Sequence, residues 1–214
     1  ATDEEIQNTI KVMGGEDWIL WIKALKEAGV LADGAKTVAY SYIGPELTYP
    51  IYKEGSIGQA KKDLYASADK IQAEIDGVEA YVSVNKAVVT QSSAAIPIVP
   101  LYLAILFKVM KEQKVQEGCI EQMYRMIHDR LCNGGAVVTD ENRLIRMDDW
   151  EMEPKVQEAV AEIWQKIDQD NLEEVTDLEG YWQEFYEIFG FRIDGVDYGA
   201  DVDADVQIPS IAAE

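Results

Sequence analysis

The sequence predicts an α/β fold: one parallel strand–helix–strand unit in the first half of the chain and a helical region behind it. Three observations carry this. Thr37 to Ile43 is a β-branched and aromatic run, the signature of a strand. Ala80 to Val89 is a second such run. Between them Ile57, Ala60, Leu64, Ala68, Ile71 and Ile75 fall within one stripe at roughly 100° per residue, which only a helix produces. Strand, helix and strand at this spacing place the two strands parallel in one sheet. Such sheets bind ligands beyond the carboxyl ends of their strands. The loops Gly44–Glu54 and Thr90–Val99 leave those ends, so a site is expected there.

The elements follow in order. A helix is expected from Glu16 to Gly29, with Trp18, Trp21, Ile22 and Leu25 inward and Gly29 as its stop. After the first strand, Gly44, Pro45 and Pro50 interrupt regular structure, because proline lacks an N–H and restrains the residue before it. The long helix then runs from about Gly55 to Ile75 and is ended by Gly77. Behind the second strand the pattern is all helical. Pro100–Gln113 is a buried helix with Pro100 in its first turn. Glu117–Leu131 follows, with Ile120, Met123, Tyr124, Ile127 and Leu131 as its stripe, and Asn133-Gly134-Gly135 closes it. A third starts near Pro154 and turns Val156, Val160, Ile163 and Ile167 inward. A fourth is capped at Thr176 or Asp177, anchored by Phe185 and Phe189, and ends at Gly190.

At 214 residues the chain can bury one sizeable core. Forty acidic residues against nineteen basic give a net charge of −21, which opposes nucleic acid and anionic membranes as partners. The apolar run Ala94 to Phe107 is shorter than the ~20 residues a membrane span takes, so no span is expected. The acidic amino terminus has no apolar core and is not read as a signal peptide. Cys119 and Cys132 are expected to be free thiols in a reducing compartment, cytoplasmic or mitochondrial matrix. Two cysteines and one histidine offer no zinc spacing. Asp201, Asp203 and Asp205 resemble the start of a calcium loop, yet Val206 and Ala212 stand where that loop needs glycine and glutamate, so no metal is expected. His128, beside Ile127 on its helix, is expected at the surface or partly packed.

The chemistry-bearing pair lies in the first loop and the long helix. Lys61 falls inside the apolar stripe, where an ammonium must reach out, pair or serve a site, whereas Lys62 points away. Tyr52 stands nine residues earlier, at the loop end. A phenol beside that cation is expected to have a lowered pKa and to act as a proton donor.

The segment YSYIGPELTYPIYKEGSIGQAK that contains this pair resembles the active-site segment of the trans-2-enoyl-CoA reductases and type V enoyl-ACP reductases. That family belongs to the short-chain dehydrogenase/reductase superfamily and has a long Tyr-x8-Lys motif, which Tyr52 and Lys61 match. MGGEDW at Met13–Trp18, VVTQSSAAIPIVPLY at Val88–Tyr102, EGCIEQMYR at Glu117–Arg125 and DDWE at Asp148–Glu151 are similar to the same family, as are FGF and IDGVDY near the end.

The resemblance implies NADH-dependent reduction of trans-2-enoyl thioesters, enoyl-CoA to acyl-CoA, in fatty acid synthesis, with the choice between NADH and NADPH open and either enoyl-CoA or enoyl-ACP as substrate. It implies Tyr52 as proton donor and Lys61 as the residue that holds the nicotinamide ribose and supports the tyrosine. Tyr42 would line the acyl pocket, and Val88, Val89 and Thr90 would touch the nicotinamide through backbone groups. Lys53, Lys62, Lys86, Lys108 and Arg125 are candidates for a basic island that receives CoA phosphates.

No GxGxxG turn occurs among the fifteen glycines, and the family's chains are about twice this long. The chain is therefore expected to form the second half of a Rossmann-type parallel sheet, with the family's amino-terminal half supplied as a separate chain or cleaved segment. In domain terms, 1–99 would be the carboxyl-terminal part of the catalytic domain, 100–191 a helical substrate-side region and 192–214 an acidic tail. A non-catalytic structural or assembly subunit derived from such a reductase is the alternative.

Overall fold

The computed structural model describes residues 1–203, 205 and 206. The chain opens with a helix that has no counterpart in the sequence reading, α1 (Asp3–Met13). Its start is a capping box: the Thr2 hydroxyl accepts from the Glu5 N–H at 3.3 Å and the Glu5 carboxylate accepts from the Thr2 N–H at 2.7 Å. α2 (Glu16–Glu27) buries Ile22, but Trp21 is 68% exposed and does not belong to the inner face expected of it. Trp18 instead fixes the helix to the sheet, its indole N–H donating to the Thr37 hydroxyl at 2.9 Å.

The strands are β1 (Ala35–Ser41) and β2 (Val78–Val84), parallel and in register from Ala35 opposite Val78 to Ser41 opposite Val84. Both end earlier than the apolar runs suggest, because the residues after Ser41 and Val84 turn out to build the site. Between them lie a 3₁₀ turn (Glu46–Thr48), the short helix α3 (Tyr49–Tyr52) and the long helix α4 (Ser56–Glu74). α4 turns Ala60, Ala68 and Ile71 onto the sheet, as its stripe predicts. Gly77, at φ +74°, makes the turn into β2.

A third strand corrects the all-helical reading of the second half. β3 (Leu144–Arg146) pairs parallel with β2, Val82 opposite Leu144 and Val84 opposite Arg146, giving the order β1-β2-β3. Three residues are too few to show alternation, and the strand exists because β2 offers it a partner. α2 and α4 cover one face of the sheet, while Met126, Leu131 and Met147 pack with Ile145, Val38 and Tyr81 on the other.

After β2 come α5 (Gln91–Ala94) and α6 (Val99–Glu112), the helix around which the second core forms. Leu103, Ile105, Leu106, Phe107 and Met110 on α6 are essentially unexposed. Each side chain of this size gains about 1.5–3 kcal/mol on burial. Burial thus outweighs the few tenths of a kcal/mol that Val109, Ile105 and Phe107 cost a helix by propensity.

α7 (Cys119–Arg125) runs straight into a π-helical turn over Met126–Leu131. Only part of the expected apolar stripe forms there, Leu131 being buried with Met123 packed beside it. Ile120, Tyr124 and Ile127 are exposed, and the inner side is carried by Gln122, Arg125, Met126 and Leu131. The π turn adds a residue per turn and so shifts the register that a regular helix would keep. Arg125 is buried because its guanidinium is answered on every side. It donates to Glu117 at 2.6 and 2.9 Å, to Asp149 at 2.9 Å and to the Met147 carbonyl at 2.9 Å, and lies 4.1 Å from the centroid of the Trp150 ring. These bonds hold the segment that follows β3.

α8 (Pro154–Lys166), α9 (Leu172–Val175) and α10 (Leu178–Glu187) complete the fold, α8 and α10 packing on α6. Of the two expected caps, Asp177 serves α10, accepting from the Gly180 N–H at 3.0 Å. Phe185 packs against the second core, while Phe189 is largely exposed rather than an anchor. No described helix is long and apolar enough to cross a membrane.

Candidate active site

The carboxyl ends of β1 and β2 open onto a cavity of about 350 Å³. Two loops and α4 build its wall. In the first loop the chain turns at Gly44, φ +71°, where a Cβ would lie 2.4 Å from the Thr48 hydroxyl and 2.5 Å from the Tyr42 hydroxyl. The turn brings α3 against the start of α4, and that contact needs Gly58. A Cβ there would meet the Lys53 carbonyl oxygen at 1.9 Å. Tyr52 is the residue before Lys53, so its place depends on this backbone contact. Gly58→Ala is expected to destabilise the protein by about 1–3 kcal/mol, read as a lower urea midpoint at an unchanged m-value. An unchanged midpoint would mean that the loop retreats without cost.

Tyr52 and Lys61, nine residues apart in sequence, meet across this contact. The Lys61 Nζ donates to the Tyr42 carbonyl and, at 3.1 Å, to the Tyr52 carbonyl, and lies 4.8 Å from the centroid of the Tyr52 ring. Burial pulls the Lys61 pKa down to about 8. The Tyr52 phenol is also shifted by burial, but upward. This reverses the expected lowering. The ammonium donates to main-chain carbonyls rather than to the phenol oxygen, so desolvation dominates. The Tyr52 side chain lines the cavity.

Tyr42 packs edge-on against Tyr52, ring centroids 4.9 Å apart. Tyr42 lines the cavity, and its hydroxyl donates to Glu151 at 2.9 Å. Burial and that carboxylate push its pKa well up. In the second loop Val88 and Thr90 line the cavity, whereas Val89 packs in the core with α6. Thr90 caps α5, its hydroxyl accepting from the Ser93 N–H at 3.0 Å and its own N–H donating to the Ser93 hydroxyl at 2.9 Å.

Two residues at this site, Glu151 and Tyr102, were not singled out from the sequence, and a third, Lys86, was expected in a basic island for CoA phosphates and is buried here instead. Glu151 is fully buried, and its carboxylate accepts from Tyr42, from the Tyr102 hydroxyl at 2.6 Å and from the Ala87 N–H at 2.7 Å. Lys86 is buried on the cavity wall, its ammonium donating to the Ala87 carbonyl at 2.9 Å. Burial lowers the Lys86 pKa and raises that of Glu151. Lys86 carried the same signal as Lys61, a charge inside an apolar run. Glu151 and Tyr102 carried none, because their partners are remote in sequence.

The other candidates fall away from the cavity. His128 is exposed, stacked on Tyr124 and bonded to Asp129 at 2.6 Å. Cys119 and Cys132 are free and exposed. The expected basic island does not form: Arg125 is held by Glu117 and Asp149, Lys108 pairs with Glu112, and Lys53 sits over the Tyr49 ring. Lys62 is exposed and bonded to Gln59. Asp201, Asp203 and Asp205 are exposed, and among the described residues no cluster of acidic, histidine or cysteine side chains could hold a metal. Ala212 lies outside the described residues.

Comparison with known proteins matches residues 1–132 to the trans-2-enoyl-CoA reductase catalytic region and residues 139–202 to the enoyl reductase FAD binding domain. Among curated relatives, a trans-2-enoyl-CoA reductase [NADH] from Ruminiclostridium cellulolyticum is 54% identical over 99% of this chain and 54% of its own length. An enoyl-[acyl-carrier-protein] reductase [NADH] from Psychromonas ingrahamii is also 54% identical, over 99% of this chain and 54% of its own. The chain thus spans about half the length of the curated relatives it matches. The crystal structure of Treponema denticola trans-2-enoyl-CoA reductase in complex with NAD superposes with a TM-score of 0.91 at 50% identity, covering 94% of this chain and 51% of that one.

The residues of 139–202 do not fit a flavin dinucleotide, whose pyrophosphate needs free cations or a glycine-rich turn. Arg143, Arg146, Lys155, Lys166 and Arg192 each pair with a carboxylate, and acidic residues dominate the segment. The donor set around the cavity does fit the nicotinamide end of a dinucleotide. Lys61 uses two of its three N–H donors on carbonyls, which leaves one that a hydroxyl such as a ribose's could accept.

Proposed function

The chain belongs to the trans-2-enoyl-CoA reductase family, and on that premise we propose that it carries the proton-donor side of an NADH-dependent reduction of trans-2-enoyl thioesters. The observation that carries the reading is the Tyr52–Lys61 pair, held by two backbone carbonyls on the wall of a cavity at the carboxyl ends of parallel strands.

When bound, the reduced nicotinamide supplies the hydride, which adds at C3 of the enoyl thioester. Charge then develops on the thioester carbonyl oxygen. The Tyr52 hydroxyl donates a hydrogen bond to that oxygen and passes its proton to it, giving an enol and a phenolate. The enol becomes the saturated thioester by gaining a proton at C2 as it loses the one on oxygen, and the phenolate regains its proton from water. The raised pKa of Tyr52 keeps it protonated through the neutral range, as a donor must be. Lys61 would hold the ribose, and it places a positive charge beside the developing enolate. Tyr42 backs the Tyr52 ring, and Val88 and Thr90, which line the cavity, would meet the nicotinamide. The acyl chain lies against the apolar wall offered by Ile57, Ile96, Val99 and Leu103.

The relatives are about twice as long as this chain, and we assign the turn that grips the dinucleotide phosphates to that further length. It would act as the amino-terminal half, covalently continuous or supplied separately. Activity is therefore read on the full-length protein, and CoA and acyl carrier protein remain equal candidates as carriers.

Oxidation of NADH driven by crotonyl-CoA tests the reading, and its pH dependence tests Lys61. Lys61 carries its charge below its pKa and loses it above. With that pKa at about 8, kcat/KM is expected to fall as pH rises through about 8, with a slope of one proton. No turnover at any pH would overturn the reductase reading and leave a structural subunit. Turnover that stays level to about pH 10 would remove Lys61 from the mechanism.

A further inference from the structure

Glu151 is the most deeply buried charge near the cavity, yet its carboxylate does not line it. An isolated carboxylate in such a place costs several kcal/mol and persists only when its oxygens are answered. Here they are answered from three segments that have no other reason to meet. Tyr42 comes from the loop after β1, Ala87 from the loop after β2, and Tyr102 from α6. All three border the same cavity. The buried ammonium of Lys86 adds a further attraction from the second loop. From Glu151 the chain of contacts leads to the proposed chemistry through one residue. Tyr42 donates its hydroxyl to Glu151, accepts Lys61 on its carbonyl, and sets its ring edge-on to Tyr52.

We infer that Glu151 is a positioning residue, which fixes Tyr42 and through it the Lys61 ammonium and the Tyr52 ring in their working arrangement. It touches neither substrate nor cofactor. The inference rests on the reductase reading for its kinetic consequence alone, since the fixing of Lys61 is a property of the fold. A carboxylate kept only for stability would be a poor choice, because well-packed apolar groups of the same volume serve at least as well. What an apolar group cannot do is hold three hydrogen-bond donors on separate loops at fixed distances.

Two variants of the full-length protein test this. Glu151→Gln can still accept both phenols on its one carbonyl oxygen but meets the Ala87 N–H with an N–H of its own. Tyr42→Phe removes only the bond from Tyr42 and leaves Glu151 its other two donors, so it serves if Glu151→Gln does not fold. The first readout needs no activity: the pH midpoint for labelling of Lys61 by an amine-reactive probe, followed by peptide mass spectrometry. It is expected near 8 in the parent and displaced toward the ordinary lysine value of about 10.4 in either variant, as Lys61 is released to solvent. A midpoint unmoved in the variants that fold overturns the inference.

The second readout is turnover. Each variant is expected to lose at least about tenfold in kcat/KM for NADH, with part of the loss in KM because the displaced Lys61 no longer meets the ribose, and the double variant to lose no more than the worse single one. Losses that multiply in the double variant would show independent roles and overturn it. A parent without turnover would sink the reductase reading, while the labelling midpoints would still decide the role of Glu151.

Discussion

Tyr52→Phe is expected to lower kcat by about 10²–10⁴-fold, with NADH affinity and stability close to those of the parent. The size follows from what the substitution takes away. The phenylalanine keeps the ring that packs edge-on to Tyr42. It also keeps the main-chain carbonyl that accepts from Lys61, since that bond never involved the side-chain oxygen. The lost hydroxyl makes no hydrogen bond among the described residues, so its removal strands no buried partner. Only proton donation to the reacting thioester disappears. Three measurements separate this from a folding defect: kcat with crotonyl-CoA, the dissociation constant for NADH, and the thermal midpoint. A kcat within a fewfold of the parent would remove Tyr52 from the role given to it. A loss of kcat matched by a lower thermal midpoint would make its role structural.

Much of this site was legible in the sequence because its central pair obeys local rules. Lys61 stands out as a charge in an apolar helical stripe, and the glycines and prolines ahead of α4 announce the turn that brings Tyr52 to it. The βαβ unit was legible for the same reason, its periods of two and 3.6 residues being properties of neighbours in sequence. What escaped depends on partners far along the chain. β3 is three residues long and is a strand only because β2 pairs with it. Glu151 looks like any acidic residue until Tyr42 and Tyr102, 109 and 49 residues away, donate to it. The pKa of Tyr52 was misread in sign because a lysine at the right spacing says nothing of which oxygen it will choose. The stripe expected of 117–131 kept Met123 and Leu131 but lost Ile120, Tyr124 and Ile127 through the π turn and through Arg125, whose burial is bought by carboxylates that no periodicity records.

Arg125 makes the second large effect. Arg125→Met is expected to destabilise the protein by about 3–5 kcal/mol, the cost of breaking a buried ion pair from one side. The methionine fills much of the same volume and can still lie against Trp150, so the loss is electrostatic rather than a cavity. Glu117 is left buried, its two bonds to the guanidinium gone, and the Met147 carbonyl loses its donor. Since a domain is stable by only 5–15 kcal/mol or so, most of the margin is at stake. The double variant Glu117→Leu/Arg125→Met supplies the control. It removes both charges and should recover a large part of the loss, because replacing a whole buried pair by apolar groups is often neutral. Urea midpoints of the single and double variants decide the matter. The outcome also separates the two readings of this arginine. A residue kept for CoA phosphates would raise the KM for the thioester and leave the midpoint alone. An arginine that anchors 147–151, and with it the carboxylate of Glu151, should lower the midpoint first, and lower turnover wherever the protein is only partly folded.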